Sequence, residues 1–407
     1  MPGPSQSTHK DEGRQSIPPA LIWLLAIGAG VGVANVYYIQ PVVPLVRETF
    51  GIGSESASLV PAVSQAGYAL GMLLLAPLGD LIDRKRLVLI KSILLVLALL
   101  ATALAPDFSV LLAVSLGVGL LGSLGQDFVP MAVQLATAEE RGRTIGLVTT
   151  GLLCGILLSR TLGGVVGDLL GWRAIYALAA AMVTLVGLAV WRWLPLQPAT
   201  ASGSYGALLL SLATLVERHA VLRKALATQG LLAATLGAFW STLALMLAEP
   251  PLHLGAGVAG AFGLAGAAGA FGAPLFGRLA DARGPAIAIR LGCLLVALAF
   301  TLMQVLPHSI AALVAGAVLF DLGVMAALVS HQTIVTTIDP AARSRLNGLL
   351  MTAAMIGMAI GALAGGWAWS RYGWTGVCLT GAACGLAALL RSLLPPSIPF
   401  AAKEFAR

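Results

Sequence analysis

Two stretches of this chain are copies of one another, and that limits its fold more than any local pattern does. Arg141, Arg143, Gly146, Gly155, Gly163, Gly164, Gly171 and Trp172 recur 202 positions later as Arg343, Arg345, Gly348, Gly357, Gly365, Gly366, Gly373 and Trp374, without a gap. Eight coincidences at one offset in 407 residues mark an internal duplication, and a repeat fixes architecture before secondary structure is considered. One position breaks the symmetry. Arg160, a cation halfway along an apolar run, stands where the second copy has Ala362.

The runs between these landmarks are apolar. The chain is 58% hydrophobic and 10% charged, against about 25% charged in soluble domains. Twelve runs near 20–43, 57–79, 87–105, 110–135, 144–168, 173–194, 225–248, 256–280, 285–306, 309–335, 346–369 and 374–394 are each long enough to cross a hydrocarbon core of about 30 Å. The expectation is an all-α membrane protein with twelve transmembrane helices in two pseudo-symmetric six-helix halves, 19–194 and 225–394. Residues 195–224 form the linker, with an amphipathic helix near 205–223 that serves either as a tether on the membrane surface or as a regulatory element. Residues 1–18 and 395–407 read as tails, the first polar, disordered and not a signal peptide.

Net charge is +7, yet nucleic acid is not the implied partner. Of 24 Lys and Arg, only Arg47, Arg173 and Arg371 lie in one set of alternate loops, and Arg160 lies mid-span. The other 20 gather at the opposite loops, tails and adjoining span ends. That asymmetry is the positive-inside pattern and places both termini in the cytoplasm. The four cysteines sit in apolar spans without ligand spacing and read as small hydrophobes, with neither metal nor cofactor implied.

Residues 76–86 read A-P-L-G-D-L-I-D-R-K-R, and residues 277–285 read G-R-L-A-D-A-R-G-P. These loops resemble the signature G-x-L-A-D-x-x-G-R-[RK] of the major facilitator superfamily, and with the repeat and the long middle loop the resemblance covers essentially the whole chain. It implies a carrier whose Asp80, Arg84 and Lys85, echoed by Asp281 and Arg283, form latches that close and release the cytoplasmic side. Two departures stand out: Asp83 replaces the usual glycine, and Pro285 replaces a basic residue, so the second latch is expected to be the weaker. Span five resembles the family's antiporter motif through Gly151, Gly155, Gly163 and Gly164, but Ser159-Arg160 replaces its Gly-Pro. Span four carries Ser123, Gln126, Asp127 and Gln134 in place of the arginine that the family's proton-coupled drug exporters usually have there.

A charged side chain at mid-bilayer costs at least about 2.5–3.5 kcal/mol, so each is expected to face the interior with a partner. Asp127, Arg160, Asp321 and His331 are the candidates for proton coupling. Arg160 lies 17 residues past Arg143 and Asp321 18 before Asp339, which at about 1.5 Å per residue sets them level, near 25 Å from the cytoplasmic ends. The resemblance implies that spans one, four, seven and ten line the cavity and that span five crosses to the other half. An Arg160–Asp321 pair across the interface is therefore expected. Candidate substrate contacts are Asn35, Tyr37, Tyr38, Gln65, Tyr68, Gln126, Phe239, Trp240 and Gln332, with Tyr37 and Tyr38 matched by Phe239 and Trp240 at the same offset. Met351, Met355 and Met358 share a helical face and read as core or pliable cavity lining.

There is no nucleophile–His pairing, paired-carboxylate cleft or phosphate-cradling loop, so neither an enzyme nor an ATP-driven pump is indicated. A gradient must supply the energy, with a site near the midplane between two rocking halves. The first reading is a proton-coupled exporter, working alone, for small amphipathic drugs or metabolites. The alternative is a carrier of a small organic anion with Arg160 as its counter-ion.

Overall fold

The computed structural model describes residues 17–137, 139–199, 203–271, 273–339 and 342–395, apart from the side chains of 267–275, 277 and 281. Nearly all of the two expected tails and the side chain of Asp281 lie outside the described residues. Every regular element among those described is helical. In chain order they are α1 (Pro19–Ala34), α2 (Val43–Phe50), α3 (Ser54–Leu70), α4 (Leu78–Leu81), α5 (Arg84–Ala103), α6 (Phe108–Gly122), α7 (Leu124–Leu135), α8 (Arg141–Leu170), α9 (Trp172–Trp193), α10 (Tyr205–Arg218), α11 (Ala220–Ala248), α12 (Ala256–Phe271), α13 (Ala273–Arg283), α14 (Pro285–Val305), α15 (Ile310–Ile338) and α16 (Arg343–Leu393). Short 3₁₀ and π segments join α1 to α2 and α3 to α4.

Nine stretches among the described residues are long and apolar enough to cross a membrane, and α1 and the start of α12 are shorter apolar helices. The 51-residue α16 is broken at Gly373, whose φ of 58° and ψ of −148° are not helical. Gly171, its repeat counterpart, separates α8 from α9 with φ 82° and ψ 160°. Both are backbone conformations that a Cβ forbids, which explains a glycine at this point of each copy. The tryptophan after each break is an anchor: Trp172 Nε1 donates to Thr49 Oγ1 at 3.0 Å and Trp374 Nε1 to the Met303 carbonyl at 3.3 Å.

The helix starts follow from their sequence. Asp83, the residue that departs from the signature loop, caps α5 by accepting the Arg86 N–H, and its other oxygen accepts the Gln197 N–H from the linker at 2.7 Å. Asp107, Ser204 and Ser309 cap α6, α10 and α15 in the same way. The linker helix α10 packs against the helical bundle. Leu212 and Leu215 are buried in a cluster with Leu222, Leu346 and Leu350, while Tyr205 Oη donates to the Leu74 carbonyl at 2.7 Å. It therefore touches both halves at their cationic end.

The opposite end is closed by polar contacts between the halves. Arg47 and Glu249 pair at 3.0 Å. They are 202 residues apart, so each meets its own repeat counterpart, which places the contact on the pseudo-twofold axis. Asp168 at the end of α8 accepts the backbone N–H groups of Ala256 and Gly257 at 2.8 and 2.6 Å, capping the first turn of α12 across the interface. Below this cap the two helices meet backbone to backbone, because a Cβ on Gly164 would lie 2.2 Å from the Ala256 carbonyl oxygen.

The glycine breaks give a direct test. Gly373→Ala and Gly171→Ala are each expected to cost about 1–3 kcal/mol, seen as lower thermal-unfolding temperatures of the purified protein in detergent. Gly146→Ala, at an open helical site, is expected to leave the temperature unchanged or raise it.

Candidate functional site

The halves enclose a cavity of about 180 Å³ whose wall includes Tyr37, Tyr68, Gln126, Arg160, Gln229, Trp240 and Asp321. Most of the remaining wall is leucine and methionine, including Met351, Met355 and Met358 on one face of α16. A second cavity of about 270 Å³ lies toward the cationic end and is bounded by Asp80, Arg84, Asp127, Arg345, Asn347 and Leu212 of the linker helix. The two share Met72, Gln126 and Met351, so the second forms a vestibule to the first.

Arg160 is 5% exposed and Asp321 7%, both on this wall. The expected ion pair between them is not formed: among the described residues no N–O contact within 4.0 Å joins them. The guanidinium instead donates from Nε to Gln40 Oε1 at 2.7 Å and lies 4.0 Å from the Trp240 ring centroid and 5.1 Å from that of Tyr37. Two aromatic faces supply about 0.5–2 kcal/mol each, and a hydrogen bond to a charged group supplies about 1.5–3. Together these match the insertion cost of about 2.5–3.5 kcal/mol for a mid-membrane arginine, so a carboxylate in direct contact is not required. Trp240 also lies beside Asp321, and Gly266 makes room for that carboxylate, since a Cβ there would sit 2.7 Å from Oδ2. Trp240 thus stacks on the guanidinium and, with Asp321, borders Gly266.

Asp127 has a partner that the sequence did not single out. Lys91 Nζ reaches Asp127 Oδ2 at 2.5 Å and Ser123 Oγ at 2.9 Å, with both charged side chains 2% exposed. Asp80 binds Arg84 within its own loop, and both face the vestibule together with Ser344 and Asn347 of the first turns of α16. Lys85 is partly exposed and Arg283 exposed.

The substrate candidates divide. Tyr37, Tyr68, Gln126 and Trp240 line the cavity, and Gln126 Nε2 donates to Tyr68 Oη at 2.8 Å. Tyr38 lines a separate lipid-side groove. Phe239 is enclosed by Phe300, Phe320 and Trp374 in the C-terminal half. Neighbouring helical residues project about 100° apart, so one of each adjacent aromatic pair turns away. Asn35 donates to the carbonyls of Val31 and Gly32 in its own helix. Gln65 is buried away from the cavity, its amide without a hydrogen-bond partner among the described residues. Gln332 bonds Asn347 at 3.1 Å beside the vestibule. His331 is also outside the cavity, held by Gln229 at 3.0 Å.

Gln40, Lys91 and Gln229 complete the polar framework, and of these Lys91 carried a readable signal, since V-L-I-K-S-I-L-L flanks it with apolar residues on both sides. Among the described residues no group of three His, Cys, Asp or Glu is placed to hold a metal ion.

A bundle of apolar helices in two similar halves, closed at one end around a charged internal cavity, is the architecture of a multi-pass membrane transporter. The family model "Major Facilitator Superfamily" matches residues 25–338 and 230–405, and the chain belongs to that superfamily. It is 37% identical over 374 residues to the uncharacterized transporter YgaY of Escherichia coli O157:H7, covering 92% of this chain and 95% of that one. It is 34% identical over 356 residues to the probable transporter SCO4007 of Streptomyces coelicolor, covering 87% and 83%. The crystal structure of a point mutant of the nucleoside transporter NupG superposes with a TM-score of 0.76 at 15% identity, over 92% of this chain and 99% of that one. The fold is shared with NupG, and the chain is a carrier of small molecules, not an enzyme.

The buried pair yields a second prediction. Lys91→Met leaves Asp127 buried and unpaired, at an expected cost of about 3–5 kcal/mol. Combining it with Asp127→Leu is expected to restore most of that loss in denaturant unfolding of the solubilised protein.

Proposed function

We propose that this transporter is a proton-coupled exporter of small amphipathic molecules, working by alternating access as a twelve-span monomer in a bacterial inner membrane. The orientation, both termini cytoplasmic, rests on the positive-inside asymmetry of the loops. The vestibule then faces the cytoplasm, while Arg47–Glu249 and the Asp168 cap close the outer side.

The observation that carries the reading is one cavity that presents Arg160 and Asp321 within walls otherwise made largely of methionine, leucine and aromatic groups. Thioether side chains repack around varied apolar shapes, and the two glutamines add a few oriented polar contacts. Asp321 takes the proton: when it is neutral, Arg160 is without its balancing charge, and when ionised it restores that balance across Trp240. Asp127, paired with Lys91 at the vestibule, is the second coupling group. Asp80 and Arg84 act as the cytoplasmic latch against the start of α16, engaged when the vestibule closes and released when it opens. The glycine-dense α8, with its resemblance to the antiporter motif, supports exchange of substrate against protons.

A second reading has its own support. Of the Arg160 donors, only Nε–H is hydrogen-bonded among the described residues, which leaves the terminal fork for a substrate carboxylate.

Reconstitution in proteoliposomes, with a substrate found by a resistance screen, tests both. Asp321→Asn is expected to abolish accumulation driven by a pH gradient while retaining substrate counterflow, and unchanged gradient-driven transport rejects the coupling role. Arg160→Lys keeps the charge, so an exporter of amphipathic molecules is expected to lose only a few-fold in rate. If the fork binds a carboxylate, the same change weakens binding by about 10–100-fold.

A further inference from the structure

Away from the central cavity, three cations from three helices converge at the cationic end of the C-terminal half. Lys224 is in the first turns of α11, Arg290 in the first turns of α14 and Arg391 in the last turn of α16. Lys224 lines a cavity of about 170 Å³ together with Thr228, His331, Val221, Ile289 and Ile334, and Arg290 follows Ile289 of that wall. Lys224 Nζ donates to the carbonyls of Ser392 and Leu394, which ties its ammonium to the C-terminal end of α16. Arg290 and Arg391 both lie within electrostatic reach of it. No carboxylate among the described residues pairs with Lys224 or Arg290. Lys224 and Arg290 repel one another at the rim of this cleft, and an anion placed between them relieves that repulsion.

The position of the cleft narrows the choice of anion. Its lip carries Val221, 42% exposed, and exposed Ala286, and its inner wall is mostly aliphatic. An apolar cleft beneath a cationic rim, at the depth where a spanning helix leaves the hydrocarbon, matches a phosphodiester with acyl chains attached and not a soluble ion. We propose that this cleft binds the headgroup of an anionic phospholipid, its phosphate between Lys224 and Arg290 and its glycerol near Thr228. The His331–Gln229 hydrogen bond stands between this site and the central cavity, so one side-chain contact joins the wall of the lipid cleft to a residue of the transport cavity. The site belongs to the second half alone, because the position 202 before Lys224 is Ile22. It does not depend on the identity of the transported substrate.

Native mass spectrometry of the purified full chain, titrated with phosphatidylglycerol and with phosphatidylcholine of the same acyl chains, tests this. Retention of phosphatidylglycerol over phosphatidylcholine is expected, falling about fivefold for each charge removed. Lys224 also caps a helix, so the exposed Arg290 supplies the variant that leaves packing intact. Arg290→Gln and Lys224→Gln are both expected to lose the preference, and Lys224→Arg to recover it. Equal retention of the two lipids, or a preference unaltered by Arg290→Gln, overturns the proposal. Inorganic phosphate is expected not to displace the lipid at equal concentration, and displacement would assign the cleft to a free anion instead.

Discussion

A guanidinium in a hydrocarbon layer has to be accommodated, and the way Arg160 is accommodated organises this molecule. Its α8 crosses the interface between the halves against α12 of the other, at a distance only glycine permits. Its charge is then spread over Gln40 and Tyr37 from one half and Trp240 from the other. These contacts together are of the size of the insertion penalty. A carboxylate is therefore left over in the same cavity, available to gain and lose a proton without releasing the arginine into lipid. An Arg160–Asp321 pair in direct contact would bind both groups more tightly and leave less for a substrate to change.

The second buried charge is handled differently. Lys91 and Asp127 are in direct contact and both nearly inaccessible, so their mutual attraction must offset two desolvation costs. They lie within one half, beside the signature loop, and link the wall of the vestibule to α5 and α7. One buried charge thus spans the interface and the other stays inside a single half. In an alternating-access cycle the first is remade as the halves rock and the second travels with its helices. The closed end fits this division, since an Arg47–Glu249 contact on the pseudo-twofold axis and a helix cap at Asp168 can separate without disturbing either half's core.

Much of this was legible in the residues. The offset of 202 and the apolar runs gave the two-half helical bundle, and the glycine breaks at 171 and 373 lay inside the repeat itself. The level of Arg160 and Asp321 in the membrane came from counting, and both do line one cavity. What counting could not give was azimuth. Tyr38 and Phe239 differ from their cavity-facing neighbours only by a rotation about the helix axis, and for these mostly apolar spans hydrophobic periodicity does not define that rotation. Lys91 was absorbed into the cationic loop at 84–86 because charge asymmetry counts a lysine near a span end as a loop residue. Whether it snorkels to water or turns inward is decided by Asp127 on another helix. Likewise Asp83 looked like a loss from the latch loop, and its capping role appears only once α5 and the linker are placed.

The most direct test of this account is an experimental density map of the chain in lipid nanodiscs, read at residue 160. The account predicts the guanidinium stacked on the Trp240 ring and turned to the cavity that Asp321 also lines. A guanidinium directed at the acyl chains, with Trp240 and Asp321 packed elsewhere, would contradict it and would leave a carrier whose intramembrane charges have no common site.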